Sequence, residues 1–302
     1  MKIPTIFITK EQGLEKKFYI KSKKSKNLDK LLRSCENFLE KQKNIESRDQ
    51  KYGIGYEIAQ EEKLFYTKLC YTKKDLQNLV EEINVDEEND SYLGIYVSVL
   101  LNKLIQEKDV IVFKPKSRLT GLGTGLERGK VIIKGDVADC TGVYLRGGKL
   151  IVEGNAGNCT GYCMTSGEIE IRNGAGGWTG MGLCGGRITV FGSVKGFTGS
   201  HMGAGEIIIY GDDEECTGEF MGGGSILVKG STTKYFLGQF MTGGIINVDL
   251  DAGRLTGSCM DGGLIIVGRD VGPLVGAHSK GGEIRIGGKI ETIGQWCKAK
   301  VY

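Results

Sequence analysis

Nine cysteines and two histidines are the residues of this chain best suited to redox, nucleophilic or metal chemistry. A zinc or iron–sulfur centre needs four ligands brought together, and paired Cys-x-x-Cys units are the usual way a sequence shows it. No such pair occurs, and the nearest cysteines, Cys159 and Cys163, stand four positions apart. An odd number of thiols without a disulfide-like spacing fits a reducing compartment. His201 and His278 are far from one another, and no Ser/His/Asp or Cys/His device is legible around either. Asp212, Asp213, Glu214 and Glu215 form an acidic run that reads as a solvated turn rather than a cation site. Gly123-x-Gly125-x-x-x-Gly129 superficially resembles a nucleotide loop. A strand pattern follows it, so the helix N-terminus that would hold a phosphate is missing. The sequence therefore predicts no catalytic residue, no cofactor and no metal ligand.

What must position these residues is a repeat. Gly123, Gly142, Gly161, Gly180, Gly199, Gly218, Gly238, Gly257 and Gly276 recur every 19 residues, with one interval of 20 between Gly218 and Gly238. Six positions after each anchor stands a second glycine, as in Gly148, Gly167 and Gly186. Glycine takes positive φ freely, so each unit carries two turns at fixed places. Eight and ten positions after the anchor are aliphatic residues: Leu150 and Val152, Ile169 and Ile171, Ile188 and Val190, and so on to Ile284 and Ile286. This alternation is a short strand with one buried face. Three positions after the anchor, from Leu145 to Met260, is a leucine or methionine, and five of the seven methionines fall there.

A unit this short closes as one coil of a parallel β-helix. The fold predicted is mainly β, a right-handed parallel β-helix of about nine 19-residue coils over 119–302, preceded by a small α+β domain over 1–118. At about 4.8 Å per coil, nine coils make a rod of roughly 43 Å. Two positions before the anchor stand Cys140, Cys159, Trp178, Phe197, Cys216, Phe236, Leu255 and Leu274, which reads as a core column of buried apolar thiols and rings. Cys140 and Cys159, on adjoining coils, come near disulfide distance. On the outward side of the strand, Phe191 and Tyr210 share one column with Ile208 and Leu227 beside it. Exposed apolar residues on a rigid rod mark a docking face, for the N-terminal region or for another subunit.

Of 49 glycines, only Gly13, Gly53, Gly55 and Gly94 precede residue 121, so the composition divides the chain near Ser117–Thr120. In the first part, Leu28 to Leu39 and Tyr92 to Lys108 have helical spacing, and Thr72 to Asp75 resembles a capping box before Leu76, Leu79, Val80 and Ile83. Strands are expected at Lys63–Tyr71 and Val110–Phe113. The last helix is placed to cover the open first coil. The net charge of +3 leaves no global nucleic-acid footprint, and eight lysines in the first 26 residues read as a solvated basic segment. No apolar run is long enough for a membrane span, and no secretory core follows the N-terminal charges. The expected location is cytoplasmic.

The unit Thr-Gly-x-x-Met-x-Gly-Gly-x-Ile-x-Val-x-Gly, with Gly154-Asn155-Ala156-Gly157, Gly199-Ser200-His201-Met202 and Met241-Thr242-Gly243-Gly244, resembles the GXGXG β-helix family. That family includes the β-helical subunit of formylmethanofuran dehydrogenase and the C-terminal domain of the glutamate synthase large subunit. The resemblance covers about residues 123–288; the first 118 residues lie outside it. It implies an architectural rod with no active-site residue of its own, whose partners are the catalytic chains of a redox complex. The uniform coils are closer to the rod of formylmethanofuran dehydrogenase, so the leading expectation is a non-catalytic scaffold subunit of a redox or C1-transfer enzyme. A stand-alone glutamate synthase-type rod is the alternative, working with separate amidotransferase and synthase chains. An autonomous β-helix acyltransferase or esterase is a third, and it requires His201 or His278 in a cleft with a polar partner.

Overall fold

The computed structural model describes residues 5–8, 16–20, 30–31, 33–34, 71–84 and 93–302. Strands β1 (Thr5–Ile8) and β2 (Lys16–Ile20) pair antiparallel, and the sequence reading contains neither. Helix α1 (Lys73–Glu82) opens on a capping box: the Thr72 N–H donates to Asp75 Oδ2 at 2.9 Å and the Asp75 N–H to Thr72 Oγ1 at 3.2 Å. Leu76, Leu79 and Val80 are its buried stripe. Ile83 leaves the helix and enters β3 (Ile83–Asn84), which pairs with β2. Positions 30, 31, 33 and 34 of the Leu28–Leu39 stretch are helical, and the rest of it lies outside the described residues. So does the strand expected over Lys63–Tyr71, apart from Tyr71 itself.

Helix α2 (Leu93–Leu104) is buried at every position from Leu93 to Leu101, as a helix that is apolar all round must be. Its burial comes from lying on the first coil of the rod. A Cβ at Gly94 would run into the Thr120 carbonyl. The Ser98 hydroxyl accepts the Gly123 N–H at 2.8 Å, and the Asn102 amide donates to the Gly125 carbonyl at 3.0 Å. Helix α2 thus supplies the hydrogen bonds that a preceding coil would have supplied, and an open solenoid end would otherwise leave unmade.

From there the chain winds as a parallel β-solenoid of about ten turns. Its strands are β4 (Val110–Phe113), β5 (Lys130–Ile133), β6 (Arg146–Val152), β7 (Ser166–Ile171), β8 (Cys184–Val190), β9 (Ala204–Ile209), β10 (Ser225–Val228), β11 (Thr232–Tyr235), β12 (Ile245–Val248), β13 (Ala252–Arg254), β14 (Leu264–Val267), β15 (Glu283–Ile286) and β16 (Lys300–Val301). All but β11 and β13 of these stack into one eleven-stranded sheet, and β11 pairs with β13 on another side of the coil. Like residues face like: Leu150, Ile169, Ile188 and Ile207 are successive partners along the sheet. From Leu150 to Ile284 this column is 1% exposed or less, and so is the leucine/methionine column from Leu145 to Met260. The sheet begins at Val110, inside the stretch whose composition assigns it to the N-terminal unit.

The corner at each anchor glycine departs from the sequence reading. Cys140, Cys159, Trp178, Phe197, Cys216, Phe236, Leu255 and Leu274 all have positive φ, from 54° to 67°. Only Cys140 and Cys216 of these are buried, and Trp178 is 41% exposed. The column is therefore core at Cys140 and Cys216, as expected, but a half-buried or exposed corner elsewhere. The reason lies in the backbone. A left-handed residue turns its N–H toward the next coil, so Trp178 donates to the Gly196 carbonyl at 2.9 Å, while the anchor Gly180 donates back to Thr160 at 2.8 Å. Each corner is thereby bonded in both directions, which offsets the ~1–2 kcal/mol that left-handed backbone costs a residue with a Cβ. The residue that does point inward here is threonine: Thr141, Thr160, Thr179, Thr198, Thr217 and Thr256 are all fully buried. Thr160 and Thr179 each donate to the carbonyl three residues earlier at 3.0 Å, so their hydroxyls are satisfied locally.

A polar column closes the far corner. Asp136 Oδ1 accepts the Asn155 N–H at 2.7 Å, Asn155 Oδ1 the Gly174 N–H at 3.1 Å, Asp212 Oδ1 the Ser231 N–H at 2.8 Å, and Asp270 Oδ1 the Lys289 N–H at 2.8 Å. Here the side chain of one coil takes the backbone donor of the next, where strand pairing has lapsed.

Candidate docking surface

The outward face of the main sheet is mostly charged and internally paired. Lys149 contacts Glu168 and Glu170 at 3.0 and 3.1 Å, Arg172 meets Glu170 at 2.8 Å, and Arg187 meets Glu206 at 2.6 Å. Where the pattern breaks, rings replace ions. Phe191 and Tyr210 follow β8 and β9 on adjoining coils, and their rings stack with centroids 5.0 Å apart and planes 10° from parallel. They are 39% and 51% exposed. The Arg172 guanidinium lies 4.9 Å over the Phe191 ring, a cation–π contact that ties this stack to the ion-paired coil before it. Ile208 and Leu227 are direct partners in the sheet and half-buried. Ile208 stands two positions before Tyr210 on the same face, so the four residues are contiguous, and the inward neighbours Val190, Ile207, Ile209 and Val228 are fully buried.

A second exposed ladder has no counterpart in the sequence reading. Two positions after each anchor stand Tyr144, Cys163, Gly182, His201, Phe220, Phe240, Cys259 and His278, again with positive φ. His201, Phe220 and Phe240 stack with centroids 4.9 and 4.8 Å apart, and on the other corner column Trp178 stacks on Phe197 at 5.4 Å. The signal is present in the sequence as a 19-residue column of rings. Its outward direction follows from the fully buried leucine/methionine column one position later.

His201 is exposed, and its Nδ1 lies 3.0 Å from the Ser200 hydroxyl. Glu219 is near enough for the histidine charge to favour its ionised form, although burial dominates and raises its pKa. His278 is exposed and tilts against Trp296, centroids 4.9 Å apart. The acidic run is not uniformly solvated, contrary to expectation: Asp213 is fully buried, because its position in the coil belongs to an inward column that holds Val194 one coil earlier and Thr232 one coil later. Among the described residues no group of three or more His, Cys, Asp or Glu is arranged to hold a metal ion, and no helix is long and apolar enough to cross a membrane. At the C-terminal end an open hollow of about 520 Å³ is lined by Ile266, Val267, Glu283, Arg285, Ile286 and Tyr302. No family model matches the chain, and no curated protein matches it.

Proposed function

We propose that this chain is a non-catalytic scaffold subunit of a multisubunit redox or C1-transfer enzyme, built like the β-helical subunit of formylmethanofuran dehydrogenase and working in the cytoplasm. The observation that carries the reading is the exposed ring stack of Phe191 and Tyr210 with Ile208 and Leu227, set in a sheet face whose charges already neutralise one another. Such a patch gains by excluding water against another protein surface. Many of the polar side chains that could do chemistry are engaged along the rod: Asp136, Asn155, Asp212 and Asp270 hold backbone donors of the next coil, and Thr160 and Thr179 hold their own turns. The coil motifs shared with the GXGXG rods supply the choice of complex.

Purification at native abundance, followed by metal and flavin analysis, tests the reading. Catalytic chains carrying molybdenum or tungsten should accompany the wild-type chain and be lost from a Phe191→Ser/Tyr210→Ser variant with an unchanged circular dichroism spectrum. A co-purifying flavoprotein would favour the glutamate synthase-type alternative. A stable lone monomer would overturn both. An activity of the isolated chain that His201→Ala abolishes would instead make it an autonomous enzyme.

A further inference from the structure

Cys140 and Cys159 occupy the same position of adjoining coils, both with left-handed backbone, at φ 61° and 56°. The coils are bonded to one another on either side of the pair. Asp139 Oδ1 accepts the Asn158 N–H at 2.8 Å, the Cys140 N–H reaches the Asn158 carbonyl at 2.8 Å, and the Gly161 N–H reaches the Thr141 carbonyl at 2.8 Å. Their Cα atoms are therefore one coil rise apart, about 4.8 Å, inside the window of roughly 4.4–6.8 Å that a disulfide spans. Identical backbone conformation in identical register sends both side chains the same way. Among the described cysteines no other two share a column on adjoining coils: Cys163 and Cys259 lie in one column but far apart, and Cys216 is flanked in its own column by Phe197 and Phe236.

The two thiols are also unequal. Cys140 is buried and Cys159 half-buried. The neighbouring Cys159 sulfur and burial push the pKa of Cys140 up. Solvent access therefore falls on Cys159, so an external disulfide reaches its sulfur first.

We propose that Cys140 and Cys159 are a reversible redox modification site, which closes to an inter-coil disulfide on meeting a low-molecular-weight disulfide such as oxidised glutathione. The Cys159 thiolate attacks one sulfur of the oxidant, forming a mixed disulfide and expelling one thiolate. Cys140 then gives up its proton to solvent and attacks the Cys159 sulfur, expelling the second. Two protein thiols are oxidised to one disulfide, one small disulfide is reduced to two thiols, and each departing thiolate takes up one of the two protons released. The closed bond staples the second coil to the third, just beyond the region covered by α2.

The test incubates the native protein with oxidised glutathione, blocks free thiols, and maps the fragments. The expected product is a fragment containing Cys140 linked to the fragment containing Cys159, reversed by dithiothreitol. Cys159 and Cys163 fall on one tryptic fragment, so the variants decide the assignment: Cys163→Ser retains the link and Cys159→Ser loses it. A link that survives in Cys159→Ser overturns the proposal. So does glutathione left on Cys159 with Cys140 still free, or a pair that stays reduced under conditions that oxidise the urea-unfolded chain.

Discussion

Asp213 sits in an inward column whose preceding member is Val194, and its carboxyl is cut off from solvent. Thr217 Oγ1 donates to its Oδ2 at 2.7 Å. Burial nevertheless dominates and raises its pKa to about 6, against the pull of the Thr217 hydroxyl. An unfolded chain would titrate it near 3.9, so the folded state holds the proton more tightly. Stability from this group is then greatest below pH ~4, falls as pH rises from about 4 to about 6, and is level above that. The full swing is on the order of 3 kcal/mol. Asp213→Asn should remove this segment of the pH profile, and Asp213→Val should stabilise the protein at pH 7 by about 1–3 kcal/mol. Urea unfolding at pH 4 and pH 7 measures both; a valine variant less stable than wild type at pH 7 would show the carboxylate to be a net asset. The period alone places Asp213 opposite Val194, so its burial is legible in the column. It escapes a local reading because three acidic neighbours look like a solvated turn.

At the scale of the element, the corner decides what each coil tolerates. Gly180 has φ 68°, and a Cβ there would come within 2.5 Å of Ile207 Cδ1 in the inward column. Gly203 has no such φ, and a Cβ there would meet nothing within 4 Å. Gly180→Ala should therefore cost about 2 kcal/mol or more, from left-handed strain and overpacking together, while Gly203→Ala should be neutral or stabilise by a few tenths of a kcal/mol through the unfolded chain. Equal denaturation midpoints for the two variants would contradict this account of the corner. The strands and the anchor glycines are legible from spacing, since apolar alternation and glycine recurrence each have one physical meaning. The exposure of Trp178, in a column that also holds the buried Cys140, is not, because apolar type suggests an interior and only the corner's backbone conformation turns the ring out of it.

Over the whole molecule, stability is a sum of coils and the interfaces between neighbours, so the two ends matter most. Helix α2 completes the first coil through Ser98 and Asn102, whereas the last full strand is covered only by the two-residue β16. Asn102→Ala should speed amide exchange at Glu127, whose N–H it accepts at 3.3 Å, and leave β14 as protected as before; loss of protection along the entire rod would mean that the coils do not behave as separate units. The helices of this cap are legible from a capping box and an apolar run, but strands β1 and β2, having no repeat to expose them, are not. One coil, between Gly218 and Gly238, carries an extra residue. The irregularity is confined to the β11–β13 pairing near Thr232 and Tyr235, while Ser225 still faces Ile245 in the main sheet. The surface consequently behaves like a ruler with fixed graduations. A binding chain that grips two positions along it finds them separated by whole steps, and an insertion at a corner changes the local outline without moving any mark.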